Sequence, residues 1–170
     1  MGAYNTPPDV LRELQRMRER IAALEMQTQQ ARIPMADIAR TANQSIPNAA
    51  TTAISWQTAN RDTAGMWSAG APTKLVIPND GFWLFGASTS FAGNATGYRS
   101  AELWVSGALS SADRRDATGS SATSEISVTE VDYLATGAYV ELRVYQNSGA
   151  ALDWYFSGIS MYAVFLGAGE

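Results

Sequence analysis

The residues of this sequence that could carry catalytic chemistry are its carboxylates, hydroxyls and lysine, because the chain contains no cysteine and no histidine. Cysteine and histidine supply most catalytic thiolates, general bases and transition-metal ligands. Carboxylates are densest in segment 113–116, which reads Asp-Arg-Arg-Asp, and at Glu125, Glu130 and Asp132. Two carboxylates are sufficient to hydrolyse a glycosidic bond. The residue types present therefore allow a carbohydrate-active enzyme, in which paired carboxylates would act as acid and base.

Both acidic clusters are explained more simply as solvated surface. Glu130 and Asp132 have the same parity on a predicted strand, so an outward polar face accounts for them. The other cluster lies in a segment rich in Ser, Ala, Gly and Thr, residues 106–124, which we predict to be a loop. We therefore predict no catalytic residue and no enzymatic activity.

Segment 106–124 is nevertheless the best candidate for a binding tip, because loops on a rigid scaffold commonly carry recognition. The alternative is a flexible loop without a binding role. The candidate binding residues are Asp113, Arg114, Arg115 and Asp116.

No pattern in the sequence predicts a metal or a cofactor. A ligand-dense calcium loop of the Asp-x-Asp-x-Asp-Gly kind is missing, and the glycines are scattered rather than grouped into a phosphate-binding loop. Among the tryptophans, Trp83 and Trp104 lie inside strand patterns and are expected in the core or at a subunit interface. Trp56, Trp67 and Trp154 lie near strand ends, where stacking on a ligand is the alternative to burial.

Charge and hydropathy limit the partners. The net charge is −4 and no basic face is visible, so we predict no nucleic-acid partner. The first residues, 1–5, lack the charged and apolar regions of a signal peptide. No run of about 18 apolar residues is present, so we expect no membrane insertion and synthesis in the cytoplasm.

The N-terminal segment contains a heptad repeat, in which apolar residues alternate at spacings of four and three. This spacing predicts a coiled-coil helix over residues 6–32, preceded by a short anchor, residues 1–5. Thr6 can cap the helix, Pro7 suits its first position and Pro34 marks its end. The seam residues are Val10, Leu14, Met17, Ile21 and Leu24, followed by Thr28 and Ala31.

Flanking charges favour a parallel, in-register assembly. Glu13 would face Arg18 of a neighbouring chain, and Arg20 would face Glu25, so both pairs have opposite charges. Such exposed pairs contribute at most about 0.5 kcal/mol each, so they select register rather than supply stability. Segment 20–25 also resembles a short motif of three-stranded coiled coils. The alternative is a single amphipathic helix packed on its own head domain.

The rest of the chain predicts an extended connector, residues 33–50, and an all-β head, residues 51–170. Short segments with β-branched and aromatic residues alternate with turn residues, which suits a two-sheet sandwich or jelly roll. In the clearest segment, 139–145, the side chains of Val140, Leu142 and Val144 share a core face. Glu141 and Arg143 lie on the opposite face, which is expected to contact solvent or a partner. The predicted strands are 51–57, 73–77, 82–91, 98–105, 125–134, 139–146 and 159–166.

Four stretches of the head resemble the trimeric jelly roll of complement C1q and tumour necrosis factor, in the form found in phage virion proteins. The family's Gly-Asp-Tyr-Val-Glu-Leu strand reads Gly-Ala-Tyr-Val-Glu-Leu here, with Ala138 in place of the aspartate. The stretches are 43–63, 77–85, 139–149 and 156–159. The resemblance implies a jelly-roll β-sandwich that assembles as a trimer. Together with the heptad repeat, it predicts a mainly β protein in which an N-terminal parallel trimeric α-helical coiled coil is followed by a jelly-roll β-sandwich.

The same resemblance implies a homotrimeric structural protein of a bacteriophage virion. We expect a tail or tail-tip appendage that docks on other virion proteins through its N-terminus and contacts host surface carbohydrate through its head. The alternative is a capsid decoration protein that coats or reinforces the shell. Because Thr28 and Ala31 weaken the seam, we expect the stalk to set register and the heads to supply most of the association.

Overall fold

The computed structural model describes residues 8–30, 33–117 and 119–169. The chain divides into two compact units, Met1–Ile33 and Pro34–Glu170. The second unit is called the head below.

The first unit contains helix α1, Pro8–Gln30. Its residues are mostly strong helix formers such as Leu, Arg, Glu, Gln and Ala, and the segment holds no glycine. The predicted helix is thus confirmed over Pro8–Gln30. The predicted anchor, the Thr6 cap, Pro7 and the seam residue Ala31 lie outside the described residues. Within the described residues, no helix is both long and apolar enough to cross a membrane.

The head consists of short and medium strands. They are β1 Met35–Ala39, β2 Gln44–Ile46, β3 Thr52–Ala53, β4 Thr58–Asp62, β5 Leu75–Val76, β6 Gly81–Phe91, β7 Tyr98–Val105, β8 Ala108–Asp116, β9 Ser124–Leu134, β10 Tyr139–Gln146, β11 Leu152–Trp154 and β12 Ser160–Gly167.

These strands form two antiparallel sheets. In the seven-stranded sheet, β6 pairs with β9 on one side and with β12 and β11 on the other; β12 continues to β1 and β4, and β11 to β2. In the five-stranded sheet, β7 lies between β8 and β10, and β10 also pairs with β3 and β5. The predicted two-sheet sandwich is confirmed.

The core lies between the sheets and is built from alternate residues of each strand. In β6 the inward residues Trp83, Phe85 and Phe91 are fully buried, as predicted for Trp83. Trp56 and Trp154 are also buried and pack edge to face, with ring centroids 5.9 Å apart. Neither ring is therefore available to stack on a ligand.

The predicted connector, residues 33–50, is instead part of the head over most of its length. Strand β1 pairs with β12 and β4, and β2 pairs with β11. Ala36, Ile38 and Ile46 from these strands are buried in the core. Each strand is only three to five residues long, too short for its alternation to stand out in sequence.

The predicted loop, residues 106–124, is also different in the structure, because its first half is strand β8. This strand pairs along its length with β7. It lies at the edge of its sheet, and most of its residues are exposed on both faces, which removes the apolar alternation that identifies a strand.

A buried arginine closes the end of the head opposite Pro34. The guanidinium of Arg99 is fully buried and donates hydrogen bonds of 3.0, 3.0 and 3.3 Å to the carbonyl oxygens of Thr96, Tyr98 and Asn94. Burial lowers the pKa of Arg99 from its ordinary value. The carbonyl contacts tie the loop between β6 and β7 to the sheet below it.

Candidate functional site

Helix α1 exposes the five large apolar residues of its predicted seam. The seam residues Val10, Leu14, Met17, Ile21 and Leu24 are each about half exposed, between 46% and 53%. Apolar side chains this large are normally covered by a partner when they form a continuous stripe. The flanking residues Arg20 and Glu25 are exposed beside the stripe, as interhelical pairing requires. The coiled coil itself remains a prediction.

The outward face of the seven-stranded sheet is apolar at the end nearest Pro34. Residues from three adjacent strands meet there, and the Phe82 and Tyr133 rings pack edge to face at 5.6 Å. Phe82, Tyr133, Val131 and Leu166 are 46%, 49%, 54% and 55% exposed. We call this surface the apolar zone, and its members are Phe82, Leu84, Val131, Tyr133, Val164 and Leu166.

The other end of the same face carries hydroxyl groups in place of apolar side chains. Ser88 and Ser127 lie opposite each other, with their Oγ atoms 3.1 Å apart. We call this surface the hydroxyl zone, and its members are Ser88, Ser90, Glu125, Ser127 and Ser160. The three neighbouring strands thus change from apolar to polar at the same level.

Gly86 marks the boundary between the two zones. It is paired with Thr129 and Tyr162, and the hydroxyls of those two residues lie 3.1 Å apart. A Cβ atom on Gly86 would lie 2.7 Å from the Tyr162 hydroxyl and 2.8 Å from the Thr129 hydroxyl. Only glycine leaves room for this polar pair to lie across the strand.

The outward face of the five-stranded sheet is covered by an aromatic ladder, formed by Tyr98, Trp104, Tyr139 and Tyr145. Tyr98 and Tyr145 stack with centroids 5.2 Å apart. Burial raises the pKa of Tyr145, and its hydrogen bond to Tyr98 acts in the same direction. Cations lie over the rings at 3.8, 4.0 and 4.2 Å, namely Lys74 on Tyr139, Arg114 on Tyr98 and Arg143 on Trp104.

The carboxylates of this face are engaged within the chain. Glu141 accepts a 2.8 Å hydrogen bond from Thr73 and a 2.7 Å ion-pair hydrogen bond from Arg143, and it is buried although its strand position faces outward. Glu102 accepts hydrogen bonds of 2.7 Å from Ser100 and 2.9 Å from Trp104. The aromatic ladder is therefore filled by the protein's own cations and acids, and it acts mainly as a cover for the sheet.

The four candidate binding residues do not form one cluster, because alternate residues of a strand point to opposite faces. Arg114 and Asp116 form an exposed ion pair at 3.7 Å, of a kind that contributes little to stability. The Arg114 guanidinium also lies over the Tyr98 ring of the aromatic ladder. Asp113 and Arg115 occupy the alternate positions of β8, so they belong to the opposite face of the strand. Among the described residues, no group of three or more acidic side chains is placed to hold a metal ion.

Comparison with known proteins gives structural matches only. No protein-family model and no curated protein sequence matches the chain. The globular domain of zebrafish complement 1qA matches with a TM-score of 0.61 at 12% identity, covering 80% of this chain and 99% of that chain. Murine APRIL matches with a TM-score of 0.61 at 14% identity, covering 79% and 100%. The tumour necrosis factor Eiger from S. frugiperda matches with a TM-score of 0.63 at 10% identity, covering 81% and 95%.

The head has the jelly-roll fold of complement C1q and tumour necrosis factor. The jelly-roll fold predicted from the sequence is thereby confirmed. Since these identities are low, the match establishes the fold of the jelly-roll head and not its activity.

Sequence reasoning missed the two zones of the jelly-roll head and most of the aromatic ladder. The signal for the ladder was present, because Tyr98, Ser100, Glu102 and Trp104 occupy alternate positions, as do Tyr139, Glu141, Arg143 and Tyr145. The zones had a weaker signal, since each strand contributes only two or three residues to each zone.

Replacing Gly86 by alanine should destabilise the jelly-roll head by about 1–3 kcal/mol, because the new methyl group also meets the backbone oxygen of Val128 at 2.7 Å. Thermal unfolding should show a fall in Tm of several degrees. Gly70→Ala is the matched control, since nothing lies within 4 Å of a Cβ atom at that position. Equal Tm values for the two variants would contradict the tight packing at Gly86.

Proposed function

We propose that this chain is a non-enzymatic structural protein that assembles as a parallel homotrimer. The observation that carries the proposal is the exposed seam of α1, in which five large apolar residues repeat at heptad spacing. Burial of apolar surface stabilises by about 25 cal/mol per Å², so a stripe of this size favours helix association. The opposite charges of the flanking pairs Glu13–Arg18 and Arg20–Glu25 support a parallel arrangement in register.

A second association surface lies on the jelly-roll head. The apolar zone combines two aromatic rings with aliphatic side chains from three adjacent strands, and four of its members are about half exposed. A patch of this composition is suited to contact with a second copy of the chain. Because a seam of about three heptads is marginal alone, the heads supply most of the association and the helices set direction.

We place the trimer in a bacteriophage virion, on the tail or tail tip, with the head contacting a host surface polymer and the N-terminal end contacting other virion proteins. The support is the order of helix and head, together with the resemblance of the four head stretches to phage virion proteins. A capsid decoration protein is the second candidate. Its support is the length of α1, since 23 residues give a stalk of only about 35 Å, which suits a compact decoration protein on the capsid surface.

Replacing Ile21 and Leu24 together by serine should weaken trimer assembly by about tenfold or more, because both side chains leave the seam. Sedimentation velocity would measure assembly, and circular dichroism should show an unchanged β signal. Ala22→Ser with Ala23→Ser is the matched control, since those positions lie on the outer side of the predicted coil. If the seam variant assembles like the control, the helices do not contribute to the trimer.

Replacing Val131 by glutamate should also weaken assembly by about tenfold, because it introduces a charge into the apolar zone. Leu109→Glu is a control of equal exposure, since Val131 and Leu109 are both 54% exposed and lie on different sheets. Mass photometry over a dilution series would compare the two variants. Loss of the trimer in both, or in neither, would count against the apolar zone as an interface.

Placement on the particle can be tested by electron microscopy of the parent phage with an antibody against the head. We expect label at the tail tip. Label distributed over the shell would favour the capsid decoration role, and its absence from intact, infectious particles would exclude both placements.

A further inference from the structure

Two cavities open side by side at the polar end of the seven-stranded sheet. One has a volume of about 370 Å³ and the other about 300 Å³, close to the lower limit of ligand pockets, which is about 300 Å³. Both are lined by residues 157–159, in the turn between β11 and β12. This turn is a wall common to both cavities, so a single extended ligand could occupy both.

The smaller cavity is lined mainly by hydroxyl groups. Its walls include Ser88, Ser90 and Ser127 of the hydroxyl zone, together with the exposed carboxylate residue Glu125. A serine hydroxyl both donates and accepts hydrogen bonds, and a carboxylate accepts them. A ligand whose own groups both donate and accept, such as a sugar hydroxyl, matches this lining.

The larger cavity adds an aromatic and an amide side chain. Phe156 is 40% exposed at its wall, and Asn60 of β4 also lines it, with its amide nitrogen donating to Asp37 Oδ2 at 3.3 Å. An aromatic face provides the apolar contact that the C–H face of a sugar ring requires, and the amide oxygen of Asn60 can accept a hydrogen bond from a sugar hydroxyl.

The charges around the cavities are one cation, Arg40, and one anion, Glu125, so the pair together favours a neutral ligand. Arg40 lines the larger cavity, but its guanidinium already donates to the carbonyl oxygens of Ala42, Asn43 and Ser55. The charged group facing the smaller cavity is Glu125, which would repel an anionic sugar.

We propose that the paired cavities bind a neutral saccharide, which lies across the shared turn 157–159 with its hydroxyls on the serines and a ring face on Phe156. This inference rests on the proposed contact with a host surface polymer and assigns that contact to the hydroxyl zone. The aromatic ladder is the poorer site, because its rings already carry the chain's own cations. In a trimer, three weak copies of the site would act together on a repeating polymer.

The test uses the full chain and saturation-transfer difference NMR with maltose, cellobiose, lactose and chitobiose at millimolar concentration, and with glucuronic acid as the anionic comparison. We expect transfer to at least one neutral saccharide and none to glucuronic acid. Ser127→Phe, which fills the smaller cavity, should weaken binding by about tenfold, and Phe156→Ala should weaken it as well.

Ser110→Phe is the matched control, because Ser110 is an exposed serine on β8, in the other sheet. It should bind like the unchanged protein. No transfer to any neutral saccharide, transfer to glucuronic acid only, or equal binding by Ser127→Phe and Ser110→Phe would each overturn the proposed site. Sedimentation of the same samples reports the trimer separately, so loss of the saccharide site and loss of the trimer are distinguishable.

Discussion

Eleven consecutive residue pairs join β6 to β9, from Gly81 opposite Leu134 to Phe91 opposite Ser124. This register determines which side chains of both strands enter the core and which face outward. Because side chains alternate along a strand, a slip of one residue would exchange the two sets. It would bring Phe82 and Ser88 into the core and expose Trp83 and Phe85. The core, the apolar zone and the hydroxyl zone all depend on this pairing.

The two outward faces of the sandwich differ in how far their side chains are covered by the chain itself. On the five-stranded sheet, stacked rings, cations and hydrogen-bonded acids cover one another, which is why Glu141 can be buried without an unpaired charge. On the seven-stranded sheet, apolar side chains and open cavities lie along the same strands. The first face is complete within one chain, whereas the second is suited to contacts beyond it. This difference explains why association and ligand binding are both assigned to the seven-stranded sheet.

Helix and head divide the work of the proposed trimer. A narrow seam with few heptads specifies direction and register at small energetic cost, and a broad sheet face supplies buried area. The polarity change at Gly86 keeps the two proposed uses of that face apart, since the Thr129–Tyr162 hydroxyl pair separates the apolar zone from the serines.

The sequence by itself determined the helix, the long strands with one buried face and the sandwich class, because heptad spacing and strand alternation are local patterns that persist over many residues. Strand β7 was predicted at its observed bounds, Tyr98–Val105, and β10 at Tyr139–Gln146. Only the tertiary structure decided the roles of β1, β2 and β8, which are too short or too exposed to show alternation. It also decided the burial of Trp56 and Trp154, the separation of Asp113 from Arg114, and the two zones. Each of those features depends on which strands become neighbours, and strand pairing joins residues far apart in sequence whose local patterns carry no record of their partner.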